Sequence, residues 1–187
     1  MADFDQLWNR LGVILELIEK SPSKTLGRTA VMKLLYLLQT VKGLPLGYDF
    51  RLYVYGPFDS GVLEDLEYAE TLEAVATEVR YFPSGYSYHL RSGKKADEIR
   101  NKSFSFLQRY KSDIDSIMDE FGSKSASDLE LISTIIFSDG NYAQRNTRVT
   151  IKESSARIRE IKPQFTLEKI ESTASALLEK GLLKALA

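Results

Sequence analysis

Apolar residues recur at three- and four-residue steps over the first twenty positions of the chain, and again from about residue 26 to Val41. This spacing places them on one stripe of a helix, so it predicts a first helix ending near Lys20 and a second closed by Gly43. The second segment is too densely apolar to leave more than a narrow exposed face. We therefore expect it to be a buried central helix.

The period of the apolar positions shortens to two over residues 48–55, which predicts a short strand. The alternation directs three apolar side chains towards the core: Phe50, Leu52 and Val54. It leaves three others on the opposite face: Arg51, Tyr53 and Tyr55. The dipeptide at residues 56–57, Gly-Pro, is expected to break the strand, and Asp59 or Ser60 to cap a third helix.

Two β-prone runs follow, residues 77–82 and 86–90, joined through Pro83-Ser84-Gly85. They predict a hairpin. The order helix, helix, strand, helix, hairpin is typical of a winged helix-turn-helix, in which the hairpin is the wing. The N-terminal half is therefore predicted to be winged-helix-like.

Helical periodicity returns after the hairpin, and residues 94–121 predict one long amphipathic helix. Three further helices are expected beyond it, the first over residues 129–137. Thr150 and Glu153 have the spacing of a capping box at the start of the second, and Thr166 is expected to cap the third. The end of the third is typical of a winged-helix third helix turning into a first wing strand.

These elements predict a mainly α fold with a small β component. We expect a winged helix-turn-helix-like domain at residues 1–92, a long connecting helix at 93–122 and a C-terminal helical, truncated winged-helix-like domain at 123–187. Hydrophobic residues make up 43% of the chain, which suffices for a buried core of ordinary size.

Composition narrows the chemistry that is available. The chain has no cysteine, which excludes disulfides, thiolate zinc sites and cysteine nucleophiles, and its one histidine is His89. Glycines stand isolated rather than in a phosphate-binding loop. We therefore expect no catalytic residues, no cofactor and no metal. Charged residues interrupt the N-terminal stretch and no long uncharged apolar segment follows, so a cytoplasmic protein with no membrane span is expected.

Charge bears on nucleic-acid binding. Lysine and arginine number 25 against 26 aspartates and glutamates, so no global field attracts the chain to a duplex. The predicted third helix, which would read a groove in a winged helix, is acidic. Its acidic residues are Asp59, Glu64, Asp65, Glu67 and Glu70. We interpret this run as a solvated face that phosphates would repel.

A basic stretch near the C-terminus is the alternative surface for DNA. Its cations are Arg145, Arg148, Lys152, Arg157, Arg159 and Lys162. Glu153 and Glu160 interrupt it, and a solvated helix face explains the same pattern.

Aromatic residues cluster around the predicted strand and hairpin. Tyrosine offers a large contact area, few rotatable bonds and a polar tip, which suits protein recognition. The residues predicted to bind a partner protein are Arg51, Tyr53, Tyr55, Phe58, Tyr86 and Tyr88. The alternative is that these rings pack under the wing or the long helix.

Two stretches carry a resemblance to a known family: residues 26–39, LGRTAVMKLLYLLQ, and residues 47–58, GYDFRLYVYGPF. They resemble the YwgA-like proteins of bacteria and archaea. The same lysine-leucine-tyrosine helix and tyrosine-glycine-proline turn are similar to the more distant Panacea domain of antitoxins and the SocA-type proteolytic adaptor. The residues that match are Lys33, Tyr36, Arg51, Tyr55, Gly56 and Pro57. The resemblance covers roughly residues 10–75 and implies no catalytic residue, and the long C-terminal half departs from the Panacea pattern.

Three functional hypotheses follow. The preferred one is a non-enzymatic protein-interaction module of winged-helix type, antitoxin- or adaptor-like in a prokaryotic defence or toxin-antitoxin setting. The second is a DNA-binding regulator that uses the basic stretch as a homodimer, and the third is an enzyme that uses carboxylates and a metal ion.

Overall fold

The structure is a computed structural model that describes residues 2–83 and 85–186, with side chains from residue 5 onwards. It is mainly helical with a small β component, as the sequence predicts, and the described strands form two antiparallel hairpins. The helices are α1 (Ala2–Lys20), α2 (Arg28–Val41), α3 (Ser60–Thr71), α4 (Ala96–Lys102), α5 (Phe104–Arg109), α6 (Lys111–Phe121), α7 (Ala126–Gln144), α8 (Ile151–Ile161) and α9 (Leu167–Glu179). The strands are β1 (Arg51–Tyr53), β2 (Gly56–Phe58), β3 (Val75–Phe82) and β4 (Gly85–Ser92).

The chain packs as two compact units. The first comprises the described residues up to Phe50 together with Asp59–Ala126, and the second comprises Arg51–Phe58 together with the described residues from Ser127 onwards. The hairpin of β1 and β2 thus belongs to the second unit, although α2 and α3 on either side of it in sequence belong to the first. These two units are defined by how closely the residues pack. The domain boundaries expected after residues 92 and 122 stay a prediction.

Two helices provide the centre of the first unit's core. Residues 11–15 of α1 are buried in succession, and residues 30–38 of α2 are buried without a break. The prediction of a buried central helix is confirmed. Gly43 follows α2 with φ of 71°, a left-handed conformation that glycine adopts without strain and that ends the helix.

The prediction of a single strand over residues 48–55 was wrong, both in the length of the strand and in the residue at which it ends. β1 stops at Tyr53, residues 54–55 form a turn, and the chain returns as β2 with Arg51 opposite Phe58. Gly56 makes the reversal possible because it adopts φ of 86°. Val54 was assigned to the core by alternation, which does not hold across a turn, and its side chain is 75% exposed.

The hairpin predicted from the runs 77–82 and 86–90 is confirmed. β3 and β4 pair in register from Val75 opposite Ser92 to Phe82 opposite Gly85. The base of the hairpin is held in the first unit, because Leu90 is buried and exchanges two main-chain hydrogen bonds with Leu26, of 2.8 and 3.0 Å. Its distal half extends into solvent. Ser84, part of the predicted connection, lies outside the described residues.

The single long helix predicted over residues 94–121 was wrong. The segment forms α4, α5 and α6, interrupted at Ser103 and Tyr110. The Ser103 hydroxyl donates to the main-chain oxygens of Ile99 and Arg100, at 3.1 and 3.2 Å, and such back-bonding bends helices. Ser103 also lies directly over Gly12 of α1, so the break occurs where the two segments approach most closely.

The second unit contains the three C-terminal helices with the predicted caps. Thr150 and Glu153 form a capping box at α8, and the Thr166 hydroxyl accepts from the main-chain N–H of Lys169 at α9. α7 is longer than expected and reaches Gln144. Asp139 lies on the buried face of α7 and accepts main-chain hydrogen bonds of 2.7 to 2.9 Å from residues 184–186. The carboxylate thereby holds the chain that follows α9 against α7.

The close approach of Gly12 to Ser103 generates a stability prediction. A Cβ at Gly12 would lie 2.7 Å from the Ser103 Cβ, whereas a Cβ at Gly140 of α7 meets no atom within 4 Å. We expect Gly12→Ala to lower the free energy of unfolding by about 1–3 kcal/mol through overpacking. The matched control Gly140→Ala should raise it by about 0.5–1 kcal/mol, because alanine is the better helix former. Urea unfolding measures both, and a Gly12→Ala protein as stable as the parent would contradict the packing described.

Candidate functional site

The β3–β4 hairpin has one aromatic side. Side chains alternate along a strand, so the register places Thr77, Val79 and Tyr81 of β3 on the same side as the residues opposite them. Those opposite residues are Leu90, Tyr88 and Tyr86. The rings contact one another, with centroids 6.3 Å apart for Tyr81 and Tyr86 and 5.4 Å apart, edge to face, for Tyr86 and Tyr88.

Most of this side lies in water. Tyr81 is 81% exposed, Tyr86 61% and Val79 39%. The guanidinium of Arg28 lies 3.9 Å from the Tyr88 ring centroid and 3.5 Å from a Glu70 carboxylate oxygen, which holds the cation over the ring. We call the surface formed by Val79, Tyr81, Tyr86, Tyr88 and Arg28 the aromatic face. A hydrogen bond to Tyr86 raises the pKa of Tyr88.

The opposite side of the same hairpin is polar. Arg80 donates to Glu78 over 3.0 Å, and the His89 ring nitrogen Nε2 lies 2.9 Å from the Ser87 hydroxyl. The single histidine is thus partnered by a neighbour on its own strand. Within the described part of the chain, no group of three or more histidine, aspartate or glutamate side chains could hold a metal ion.

The predicted protein-binding residues divide between the two units. Tyr86 and Tyr88 belong to the aromatic face of the first unit. In the second unit Tyr53 and Tyr55 are 60% and 69% exposed, and the Tyr53 and Phe58 rings lie 5.3 Å apart. Arg51 is also exposed on β1.

Three members of the aromatic face were absent from the predicted set: Arg28, Val79 and Tyr81. Tyr81 could have been found from the sequence as an aromatic residue of the predicted hairpin. Its register could not, because the predicted three-residue connection pairs Phe82 with Tyr86, whereas the structure places Tyr81 opposite Tyr86. Arg28 could not have been found, because it reaches the face from α2 and contacts Tyr88 only in the folded unit.

The acidic run of α3 is not uniformly solvated, which corrects the interpretation from the sequence. Asp65 is only 4% exposed. Its carboxylate lies 2.8 Å from Arg10 Nε of α1 and accepts a hydrogen bond of 2.6 Å from the Tyr48 hydroxyl. Asp59 caps α3 by accepting from the Gly61 main-chain N–H. Glu64 and Glu67 remain exposed.

Burial governs the ionisation of this cluster. Desolvation raises the pKa of Asp65, while the Tyr48 hydroxyl and Arg10 oppose that rise. Burial, together with the charge of Asp65, raises the pKa of Tyr48 well above its usual value, so Tyr48 serves as a permanent donor. Gln39 of α2 fixes the Tyr48 main chain, accepting from its N–H at 3.0 Å and donating to its C=O at 2.8 Å.

Lys162, assigned from the sequence to the basic stretch, is not a surface cation. It is 1% exposed, and its ammonium lies 2.7 Å from Glu130 Oε1 of α7. It also donates to the main-chain oxygen of Val54, and Gln164 donates to the same Glu130 oxygen over 2.9 Å. This buried ion pair joins the β1–β2 turn to α7 and to the end of α8. Sequence spacing could not reveal it, because residues 54, 130 and 162 are far apart along the chain.

Two further members of the basic stretch contact other residues of the second unit. Arg159 donates to the main-chain oxygens of Pro163, at 2.5 Å, and Phe165. The Arg157 guanidinium lies 5.6 Å from the Tyr142 ring centroid. The five cations other than Lys162 are all exposed: Arg145 and Arg148 in the connection before α8, and Lys152, Arg157 and Arg159 on α8. The surface available to a phosphate backbone is therefore smaller than the sequence indicates.

Comparison with known proteins adds no assignment. The chain matches no protein-family model, and no curated protein is significantly similar to it. The resemblance to YwgA-like proteins and to the Panacea domain stays a prediction. Among the described residues no helix combines the length and apolar character that crossing a membrane requires.

The Asp65 cluster generates a pH-dependent prediction. The Tyr48 hydrogen bond lowers the pKa of Asp65, so it stabilises the ionised carboxylate. We expect Tyr48→Phe to lower the free energy of unfolding by about 1.5–3 kcal/mol at neutral pH. The difference in free energy of unfolding from the parent should shrink as the pH falls through the folded-state pKa of Asp65. A protonated carboxyl is stabilised less by the Tyr48 hydrogen bond, so removing the hydroxyl costs less.

Urea unfolding over a pH series measures this difference. Tyr81→Phe, at an 81% exposed ring, is the control and should change stability little at any pH. A Tyr48→Phe effect of constant size from neutral to acid pH would contradict the assigned bond.

The buried ion pair generates a second prediction. We expect Lys162→Met to destabilise the protein by about 3 kcal/mol, because it leaves the Glu130 carboxylate buried without its cation. Lys152→Met, the same change at an exposed position of α8, should change stability by less than about 0.5 kcal/mol. Thermal and urea unfolding compare the two variants. Equal stabilities would show that Lys162 is solvated.

Proposed function

We propose that the chain is a non-enzymatic protein-interaction module of winged-helix type, and that the aromatic face of the β3–β4 hairpin is its contact surface. The observation that carries the proposal is the exposure of Tyr81 and Tyr86, at 81% and 61%, on a hairpin whose base is firmly buried. A rigid base with exposed rings favours recognition, because little side-chain order must be gained on binding.

The distribution of exposed apolar residues supports this proposal. Of the eleven large apolar side chains exposed among the described residues, seven lie in the two hairpins. Scattered apolar residues on a surface need no explanation, whereas a concentration on projecting hairpins is typical of an interaction surface. The stacking of Arg28 on Tyr88 supports it further, since tyrosine and arginine are the residues that most often dominate binding energy.

A role in neutralising or presenting a partner protein, as an antitoxin or adaptor does, rests on the family resemblance alone. The chemistry of the face defines the partner more narrowly. Its members offer aromatic carbon, phenol hydroxyls and one guanidinium already paired with Glu70. A partner that presents apolar side chains with a few hydrogen-bond acceptors fits this surface.

DNA binding is the alternative, favoured by the exposed cations Arg145, Arg148, Lys152, Arg157 and Arg159. At most five phosphate contacts would give a log-log salt dependence of about 4 to 5, which corresponds to sequence-independent attachment. α9, which would occupy a groove in a winged helix, exposes Glu168 and Glu179, and its Lys169 is paired with Asp128 at 3.0 Å. These contacts favour a protein partner over a duplex.

The proposal predicts a partner whose binding depends on β4. Affinity capture from the native host should recover the same protein with the parent and with Phe104→Ala, whose ring is 59% exposed elsewhere in the first unit. The double variant Tyr86→Ala, Tyr88→Ala should lose it. With the partner purified, Tyr86→Ala alone should weaken binding about thirtyfold, the effect of a residue worth roughly 2 kcal/mol.

Tyr53→Ala combined with Tyr55→Ala tests the hairpin of the second unit in the same way. If only this pair abolishes capture, the contact surface is β1–β2 and the proposed site is wrong. Equal recovery by all four baits would contradict an aromatic contact surface altogether.

A further inference from the structure

The outer edge of β3 carries hydrogen-bonding groups that β4 does not use. Leu90 exchanges its main-chain bonds with Leu26, so its N–H and C=O point away from β3. Thr77, which lies opposite Leu90, is therefore in a non-hydrogen-bonded pair of the β3–β4 ladder. The main-chain N–H and C=O of Thr77 point outwards from the free edge of β3. Because this pattern alternates, the main chains of Val79 and Tyr81 point outwards as well.

This edge is open in the structure. Among the described residues, none makes a main-chain hydrogen bond to the outward groups of Thr77, Val79 or Tyr81. The side chains from Glu78 to Phe82 are all exposed. An eight-residue strand with such an edge is a template for pairing with another strand.

We propose that two copies of the chain associate through this edge, with β3 pairing antiparallel to β3 of the second copy about a twofold axis at Val79. Each outward-pointing residue then faces another. Val79 pairs with Val79 of the second copy, and Thr77 pairs with Tyr81 of the second copy on either side. The contact is self-complementary, as a twofold interface requires.

Charge selects this register among those the strand permits. With the axis at Val79, each Glu78 lies opposite Arg80 of the other copy, and opposite charges stabilise a cross-strand pair. An axis at Glu78 or at Arg80 would place two like charges face to face. An axis at Thr77 would place Glu78 opposite Ala76 of the second copy and so would lack the charge pair. An axis at Tyr81 would end the pairing at Pro83, which has no N–H.

The dimer joins the two hairpins into one four-stranded sheet. Twofold pairing keeps Val79 of both copies on the same side, so the aromatic faces of the two chains lie side by side on one surface. The inference does not rest on the proposed function, because it uses the strand edge and not the exposed rings of β4. It gives the protein a larger surface for a partner than one hairpin supplies.

Charge exchange tests the dimer. Sedimentation equilibrium of the full chain over a concentration series should show a monomer–dimer equilibrium. Glu78→Arg and Arg80→Glu should each weaken dimerisation by about tenfold or more, because each change makes both cross-strand pairs repulsive. An equimolar mixture of the two variants should form a heterodimer, and the double exchange Glu78→Arg, Arg80→Glu should dimerise as the parent does.

Thermal unfolding of the monomeric variants is the control for correct folding. Their unfolding temperatures should match one another, because the exchanged side chains lie in solvent. Val79→Pro is an independent test, because it removes one outward-pointing N–H of β3 without removing a hydrogen bond to β4. This variant should be monomeric. A parent that stays monomeric at every concentration overturns the proposal. A dimer that survives Glu78→Arg or Arg80→Glu also overturns it, because another surface would then form the contact. Failure of these two single variants to associate on mixing overturns it as well.

Discussion

The buried carboxylate of Asp65 is the interaction on which the first unit depends. It joins α3 to Arg10 of α1 and to Tyr48 of the segment after α2, whose main chain Gln39 fixes. α3 leads directly into β3, so the position of this helix determines where the hairpin begins. The Leu26–Leu90 bonds then hold the hairpin's base, and the distal residues extend beyond the core. The exposure of the aromatic face follows from these constraints.

Local signals in the sequence predicted the parts of the fold that local physics determines. The dense apolar run of α2, the capping box at Thr150 and the two β-prone runs of the second hairpin all specify structure within a few residues. Where the predictions were wrong, distant contacts decided the outcome. Ser103 breaks a continuous helical pattern where it meets Gly12, and residues 54–58 form a turn and a strand that pack on α7.

The candidate site divides in the same way. Tyr86 and Tyr88 were predicted because tyrosines in a hairpin are visible in the sequence. The burial of Asp65 and Lys162 was not, because each is an ordinary charged residue until its partner, Arg10 or Glu130, is brought beside it. Both corrections bear on function. One removes a carboxylate from the acidic run of the first unit, and the other removes a cation from the basic stretch of the second unit.

The inward orientation of Asp65 is tested most directly by its own titration. Carbon-detected NMR of the Asp65 side-chain carboxyl, followed through the acid range, reports its pKa in the folded protein. Burial predicts a pKa above the ordinary aspartate value, and one that rises further in Tyr48→Phe, where the opposing hydrogen bond is lost. An ordinary pKa that the substitution leaves unchanged would place the carboxylate in solvent and contradict the account of how the hairpin is held.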